Sequence, residues 1–289
     1  MKRCLCFLFL LLSLSCEKTA AEKEPQTPQA MYEHAQALLH PNVKGDSSDF
    51  EGALLWTRRA AEGGHLQAQR DLGGLYLSGG KGVKPDAAEA YRWFSAAAQQ
   101  GDLASEVFVG MLLYDGYGIA RDRAAALVHW RRAAEGGIAE AQWRLGRVLA
   151  AEPATEAEGV AWLKKAVREG ERGGIPQAAT ALGNIYYKGG ASLPADEQEA
   201  RHWYAVGAGG GDPLAQHVYA CLLLSGEAAD EPRGLGMLRM AAGQNHLPAM
   251  QLLIQYLRQK PELQSAEGEA EAWAKRLSEL QNTPQTDKK

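Results

Sequence analysis

The sequence predicts an all-α protein built as a solenoid of stacked helix-loop-helix repeats. Three observations predict it. A unit recurs at intervals of roughly 36 residues, inside the range of repeat architectures. Apolar positions within each unit recur at three and four, the period of an amphipathic helix. Glycine and aspartate punctuate each unit where one helix must stop and the next must start.

The first half of the unit is clearest in residues 65–73, 102–110, 138–146 and 175–183, each ending on Gly73, Gly110, Gly146 or Gly183. Residues 212–220 and 246–254 keep the frame, with Ala220 and Ile254 in place of the glycine. The second half carries an aromatic or large apolar residue followed by two small ones, as in Trp56 with Ala60 and Ala61, and Trp93 with Ala97 and Ala98. It recurs in residues 127–137, 162–170, 203–211, 237–245 and 273–281. Small residues let neighbouring helices approach closely, and the large ring fills the space beside them. Between the halves lies a loop, residues 80–86 and 116–122. Its glycines end the first helix in left-handed geometry, Val83 or Ile119 turns inward, and Asp86 or Asp122 caps the second helix.

Ala-x-x-Leu-Gly-x-x-Tyr, then Gly-x-Gly-Val-x-x-Asp, then Ala-x-x-Trp-x-x-x-Ala-Ala-x-x-Gly resembles the Sel-one-like repeat family, a relative of the tetratricopeptide repeat. The resemblance covers residues 65–245 well and extends over 30–281 with weaker first and last units. It implies a right-handed superhelix of about six or seven helix pairs. The unit starting at Ile138 departs from the pattern, with residues 150–155 in place of the glycine loop; extra residues stand around 171–174, and Met237 occupies a Trp position. These departures are expected to alter the local pitch and not the fold.

Residues 1–15 read as a secretory signal, with Lys2 and Arg3 before an apolar stretch too short to span a bilayer. Ser13-Leu14-Ser15-Cys16 resembles the lipobox of bacterial lipoproteins, although Ser13 and Leu14 look exchanged; the resemblance implies lipidation at Cys16, and a signal cleaved nearby without lipid is the alternative. Both place the protein outside the cytoplasm, in the periplasm. Glu17, where an Asp would imply inner-membrane retention, implies an outer-membrane anchor. Residues 17–29 have nothing to bury and read as a flexible tether, and residues 282–289 as a disordered tail. Cys4 and Cys6 leave with the signal, so Cys221 has no disulfide partner and is expected to pack as a small apolar residue.

At 46% hydrophobic and 23% charged the chain can bury a core. Its net charge of −4 becomes more negative once Lys2 and Arg3 are removed, which argues against a nucleic-acid partner. An enzyme is not expected: there is no Gly-x-Ser-x-Gly elbow, no His-Glu-x-x-His, no phosphate loop and no cysteine pair at zinc spacing. No cofactor or metal is implied. His65 and His246 share one slot at a helix start, Asp196 and Glu197 fall at a cap, and residues 207–212 form an inter-helix turn.

Solenoids of helix pairs line a concave surface with their first helices. By the phase of the frame Ala68, Leu72 and Tyr76 are buried. The open stripe then carries Gln67, Arg70, Leu77, Val107, Met111, Tyr114, Glu140, Trp143, Arg147, Gln177, Asn184, Tyr187, His217, Leu224, Gln251, Gln255 and Arg258. Arg70, Met111, Tyr114, Trp143, Arg147, Asn184, Tyr187 and His217 are the candidate partner-binding residues. Trp143 is the one tryptophan of seven outside a second helix, and a Trp beside Arg and Tyr has the composition of an interface anchor, the alternative being that it packs on a neighbouring helix. A protein partner is therefore expected. Exported bacterial members of the family are adaptors, envelope scaffolds or periplasmic immunity proteins that block lipase effectors of type VI secretion, so the resemblance implies one of these roles.

Overall fold

The computed structural model describes residues 25–39, 49–80, 82–168, 174–226 and 230–282. The expected signal, Cys16, residues 17–24 of the tether and residues 283–289 of the tail lie outside the described residues, as do residues 171–173 of the irregular junction; Pro28 and Gln29, expected in the tether, instead open the first helix. The described residues are helical apart from turns and one isolated bridge between Gly80 and Val83.

The chain forms two compact units, residues 1–100 and 101–289. In the first, α1 (Pro28–Leu39) pairs with α2 (Phe50–Glu62), and α3 (Leu66–Ser78) with α4 (Ala87–Gln99). In the second, five hairpins follow: α5 (Leu103–Asp115) with α6 (Arg123–Glu135), α7 (Ala139–Leu149) with α8 (Glu156–Arg168), α9 (Pro176–Lys188) with α10 (Glu197–Gly209), α11 (Pro213–Leu224) with α12 (Glu231–Gly243), and α13 (Leu247–Gln259) with α14 (Glu269–Asn282). Within this unit α7 also touches α9, and α9 touches α11, so first helices form a layer of their own.

The punctuation works as its chemistry predicts. Asp86, Asp122 and Asp196 accept backbone N–H bonds from the first turn of the second helices. His65 and His246 do the same for first helices through Nδ1, each 3.2 Å from the amide nitrogen it caps. Second helices end in a paired reverse bond: His65 N donates to Ala60 O and Gly64 N to Ala61 O, repeated by Ile138 and Gly137, by Asp212 and Gly211, and by His246 and Asn245. That geometry needs a positive φ at the turn. Gly64, Gly137 and Gly211 supply it at 86 to 93°, and Asn245 at 64°.

Three junctions from a second to a first helix are then locked by a buried glutamine side chain. Gln69 Nε2 donates to Ala61 O at 3.1 Å, Gln142 to Ala134 O at 3.3 Å and Gln216 to Ala208 O at 3.3 Å. A buried carbonyl at a helix end needs such a partner. At the start of α11 a second bond is added: Thr180 Oγ1 donates to Asp212 Oδ2 at 2.6 Å. In α5 the glutamine position holds Glu106, which cannot donate; its buried carboxylate instead accepts from His129 and lies 3.5 Å from Arg132.

The Leu-Gly glycines have a direct packing cause. A Cβ on Gly73 would meet the Phe94 ring at 2.8 Å, on Gly110 the Trp130 ring at 2.5 Å, and on Gly183 the Tyr204 ring at 2.7 Å. The ring that docks on the glycine stands one place after the aromatic slot of the repeat frame. Trp130 stands there too, which explains why it is out of step with the other tryptophans of second helices. Its indole N–H donates to Val107 O at 3.1 Å, and Val107, expected on the open stripe, is 7% exposed and buried against it.

The core runs through the hairpins as fully buried leucines. Leu163, Leu182 and Leu223 belong to one cluster, Leu238, Leu253 and Leu257 to the next. Each stabilises the fold by about 1.5–3 kcal/mol. Cys221 is half-buried and burial pushes its thiol pKa up, in keeping with a packing role.

Candidate functional site

First helices of the second unit place the candidate residues on neighbouring elements. Trp143 and Arg147 project from α7, Asn184 and Tyr187 from α9, and His217 from α11. Because α7 touches α9 and α9 touches α11, these five share one layer. Arg70 does not join them: it lies on α3 in the first unit, half-buried. There its charge tempers the rise of the Tyr32 hydroxyl, which burial and the neighbouring Asp71 push up to about 12.

Trp143 is half-buried and packs on the cluster that contains Val160, Leu163 and Leu182. Two guanidinium groups approach its ring, Arg144 at 5.3 Å and Arg147 at 5.5 Å from the centroid. Arg144 is neutralised by Glu140 at 2.7 Å, whereas Arg147 is exposed and, among the described residues, has no carboxylate at ion-pair distance. Trp143 thus does two jobs at once: one part of its surface seals the next hairpin, and the rest carries a cation into solvent.

Tyr187, 59% exposed, is the most exposed large hydrophobic residue among those described. Asn184 is half-buried and its Oδ1 accepts from the Tyr204 hydroxyl at 2.8 Å, which leaves its amide N–H groups as its remaining donors. His217 is half-buried beside His246, ring centroids 5.2 Å apart; burial first and the His246 charge second hold its pKa down, and its buried Nδ1 has no hydrogen-bond partner. Met111 and Tyr114 of α5 are partly buried against Trp130, the Tyr114 ring 5.1 Å from it, with the Arg123 guanidinium 5.0 Å from Tyr114 on another side. They wall the α5–α6 core more than they offer a face.

A cleft of about 480 Å³ opens where the unit starting at Ile138 lacks its glycine loop. Ala150, Ala151 and Pro153 form one wall, Asn184, Ile185 and Lys188 the other, and Gly189, Gly190 and Ala191 the rim. Glu156 closes the floor. Its Oε2 accepts from Ser192 N at 2.6 Å and Ser192 Oγ at 2.8 Å, and these bonds hold its pKa below the usual carboxylate range. Neither the cleft nor Lys188 was anticipated from the sequence; the missing glycines at residues 150–155 were its signal, and their consequence is visible only once α7 and α9 are side by side.

Among the described residues no three His, Cys, Asp or Glu side chains gather into a group that could hold a metal, and no helix is long and apolar enough to cross a membrane.

The sequence profile of the Sel1 repeat matches residues 28–65, 66–102, 103–138, 139–171, 176–212 and 213–246. Chitin synthase regulatory factor 3 of Schizosaccharomyces pombe is 35% identical over 167 residues, 45% of this chain and 18% of that one. The chain spans less than half the length of the curated relatives it matches. Among solved structures, a Sel1 repeat protein from Oxalobacter formigenes superposes with a TM-score of 0.68 at 20% identity, covering 88% of this chain and 98% of that one. A protective antigen of uropathogenic Escherichia coli displaying an SLR fold superposes at 0.53 and 24% identity, covering 87% and 61%. With six successive repeats matched over most of its length and an all-α solenoid fold shared with these structures, the chain belongs to the Sel1 repeat family.

Proposed function

We propose that this Sel1 repeat protein, a member of a family of protein-interaction scaffolds, is a non-enzymatic binding module that holds its partner on the first helices of the second unit. The observation that carries the reading is the exposed surface of α7 and α9, where Trp143, Arg147 and Tyr187 combine aromatic area with an unpaired cation. Such residues dominate binding energy where they occur at interfaces. The helices are already formed, so recognition avoids most of the ordering entropy that a flexible loop would lose.

The more specific role is that of a periplasmic immunity protein, anchored by lipid at Cys16, that binds and neutralises a secreted lipase or phospholipase effector. Its support is the export-type start of the sequence and the resemblance of its repeats to exported family members. An envelope scaffold or adaptor is the alternative.

The test is co-expression of the exported chain with a candidate effector encoded beside it. Rescue of growth, lost in Trp143→Ala at a temperature where the variant keeps its helical content, and lost also in Tyr187→Ala, whose side chain is exposed, is the expected result. Equal rescue and equal co-purification by wild type and Trp143→Ala would remove the proposed face, and recovery of bound partners without any rescue favours the scaffold.

A further inference from the structure

We propose that the joint opening α13 is an acid-sensitive latch, in which protonation of His217 and His246 loosens the α13–α14 hairpin from the hairpin before it. The two imidazoles fill positions where the first unit also holds a ring pair. Tyr32 and His217 are each the fifth residue of a matched repeat, 28–65 and 213–246, and His65 and His246 are each the last. In the first unit His65 stacks on Tyr32 with ring centroids 4.5 Å apart, its Nδ1 accepts from Ala68 N, and its Nε2 lies 2.9 Å from Gln29 Oε1. In the second unit the cap is kept and its support is not. His246 Nδ1 accepts from Ala249 N at 3.2 Å, but its ring neighbour is a second imidazole, centroids 5.2 Å apart, and Leu214 takes the place of Gln29 in the frame.

Only an unprotonated Nδ1 can accept the Ala249 amide, because a charged imidazole is a donor at both nitrogens. Acid therefore takes the cap from α13 and sets a cation at the end of the helix where the dipole is already positive. His217 adds to the strain. Its Nδ1 is buried without a hydrogen-bond partner, so its charged form holds an N–H with no acceptor, beside a second cation. The surrounding charges do not offset this. Asp212, at the start of α11, draws His246 toward the charged form, but its Oδ2 already accepts from Thr180 Oγ1 and Ala215 N. Arg276 of α14 donates to Asn245 Oδ1 and Gly243 O and adds positive charge beside His246. The last turns of α10 and α12 and the first turn of α13 carry no charged side chain. Cys221, one turn along α11, is kept neutral by burial, and Thr180, which α9 brings to Asp212, is uncharged. Burial, and for His217 the His246 charge after it, accordingly hold both imidazoles below their ordinary value of 6.5. The neutral pair contributes its full stability above that value and loses it as pH falls through the lowered folded values.

The experiment follows amide hydrogen exchange of the full chain from about pH 7.5 to about pH 5, as protection factors corrected for the intrinsic rate. The first turn of α13 should lose on the order of ten-fold or more in protection. The first turn of α9, where Ile175 caps with no side-chain bond, should change by less than about two-fold. His246→Asn supplies a cap that does not titrate and should abolish the response. His217→Tyr, which recreates the pairing of Tyr32 with His65, should reduce it. Proton NMR of the wild-type imidazoles tests the same latch without depending on how a variant folds: both rings should titrate below 6.5. Unchanged protection in the wild type, an equal loss in α9, an equal loss in His246→Asn, or rings that titrate at or above 6.5 would overturn the proposal.

Discussion

The hairpins α7–α8 and α9–α10 are neighbours with the same repeat frame, yet they close on themselves in different ways. In α9–α10 the frame glycine, Gly183, receives the ring of Tyr204, and the turn after α9 runs through Gly189 at a φ of 70°. In α7–α8 no ring is available. Gly146 meets the backbone of α8, where a Cβ would lie 2.9 Å from both Gly159 O and Leu163 N. Gly159 returns the contact, since a Cβ there would fall on the backbone nitrogen of Ala150. One hairpin is thus packed side chain on backbone and the other backbone on backbone. The second mode draws the helices together without a glycine loop, with Thr155 Oγ1 donating to Leu149 O in its place, and it leaves the adjoining cleft open. The same sequence position can serve two packing chemistries, and a repeat consensus records only that it must be small.

The contrast predicts a graded set of outcomes. Gly159→Ala should be the most damaging, lowering stability by about 3 kcal/mol, because backbone cannot rotate away as a side chain can. A shift of the urea midpoint below about 1 kcal/mol would break the backbone-on-backbone account. Gly146→Ala should destabilise more than Gly183→Ala although both occupy one frame position: about 2–3 kcal/mol against about 1–2, since the Tyr204 ring can tilt. Reversed order in the same urea titrations would show that the ring is the more rigid neighbour.

Glu156→Ala should speed hydrogen exchange in the turn that follows α9, as Ser192 loses its acceptor. Acid should do the same to the wild type. The folded-state pKa of Glu156 is lowered, so its contribution is present above the ordinary carboxylate range and is lost as pH falls through the folded value. Exchange in that turn that does not change on acidification would mean that Ser192 is held by something else. The smallest effect is expected at Gly209, where a Cβ would meet nothing within 4 Å; Gly209→Ala should stabilise by about 0.5 kcal/mol. It is the control that separates lost space from lost chain entropy.

Much of the fold was legible because its determinants are local. Asp86, Asp122 and Asp196 cap from within their own turn, His65 and His246 do so from an unusual residue type, and the glycines ending second helices need only their own φ. What depends on a neighbouring helix was not legible. Val107 fits the open stripe by phase, and only the displaced ring of Trp130 buries it. Met111 and Tyr114 are drawn toward the same ring. Trp143 was singled out for lying outside the second helices, but its double contact, core on one part and cations on another, depends on α8 and α9. A lone Gln one place after a buried Ala, at 69, 142 and 216, was in plain view in the frame; the carbonyls it would serve come from the preceding helix, eight residues earlier.

Those three glutamines carry an evolutionary corollary. Each satisfies its helix-end acceptor from eight residues away, although the side-chain oxygens of Gln69 and Gln216 in turn accept from Gln100 and Gln244 of the next second helix. A gene segment spanning one hairpin and its joint can therefore be duplicated or excised and leave no stranded carbonyl behind. At the joint that opens α11, Thr180 and Asp212, 32 residues apart, add a further tie to that of Gln216, and the two hairpins they connect should be inherited together.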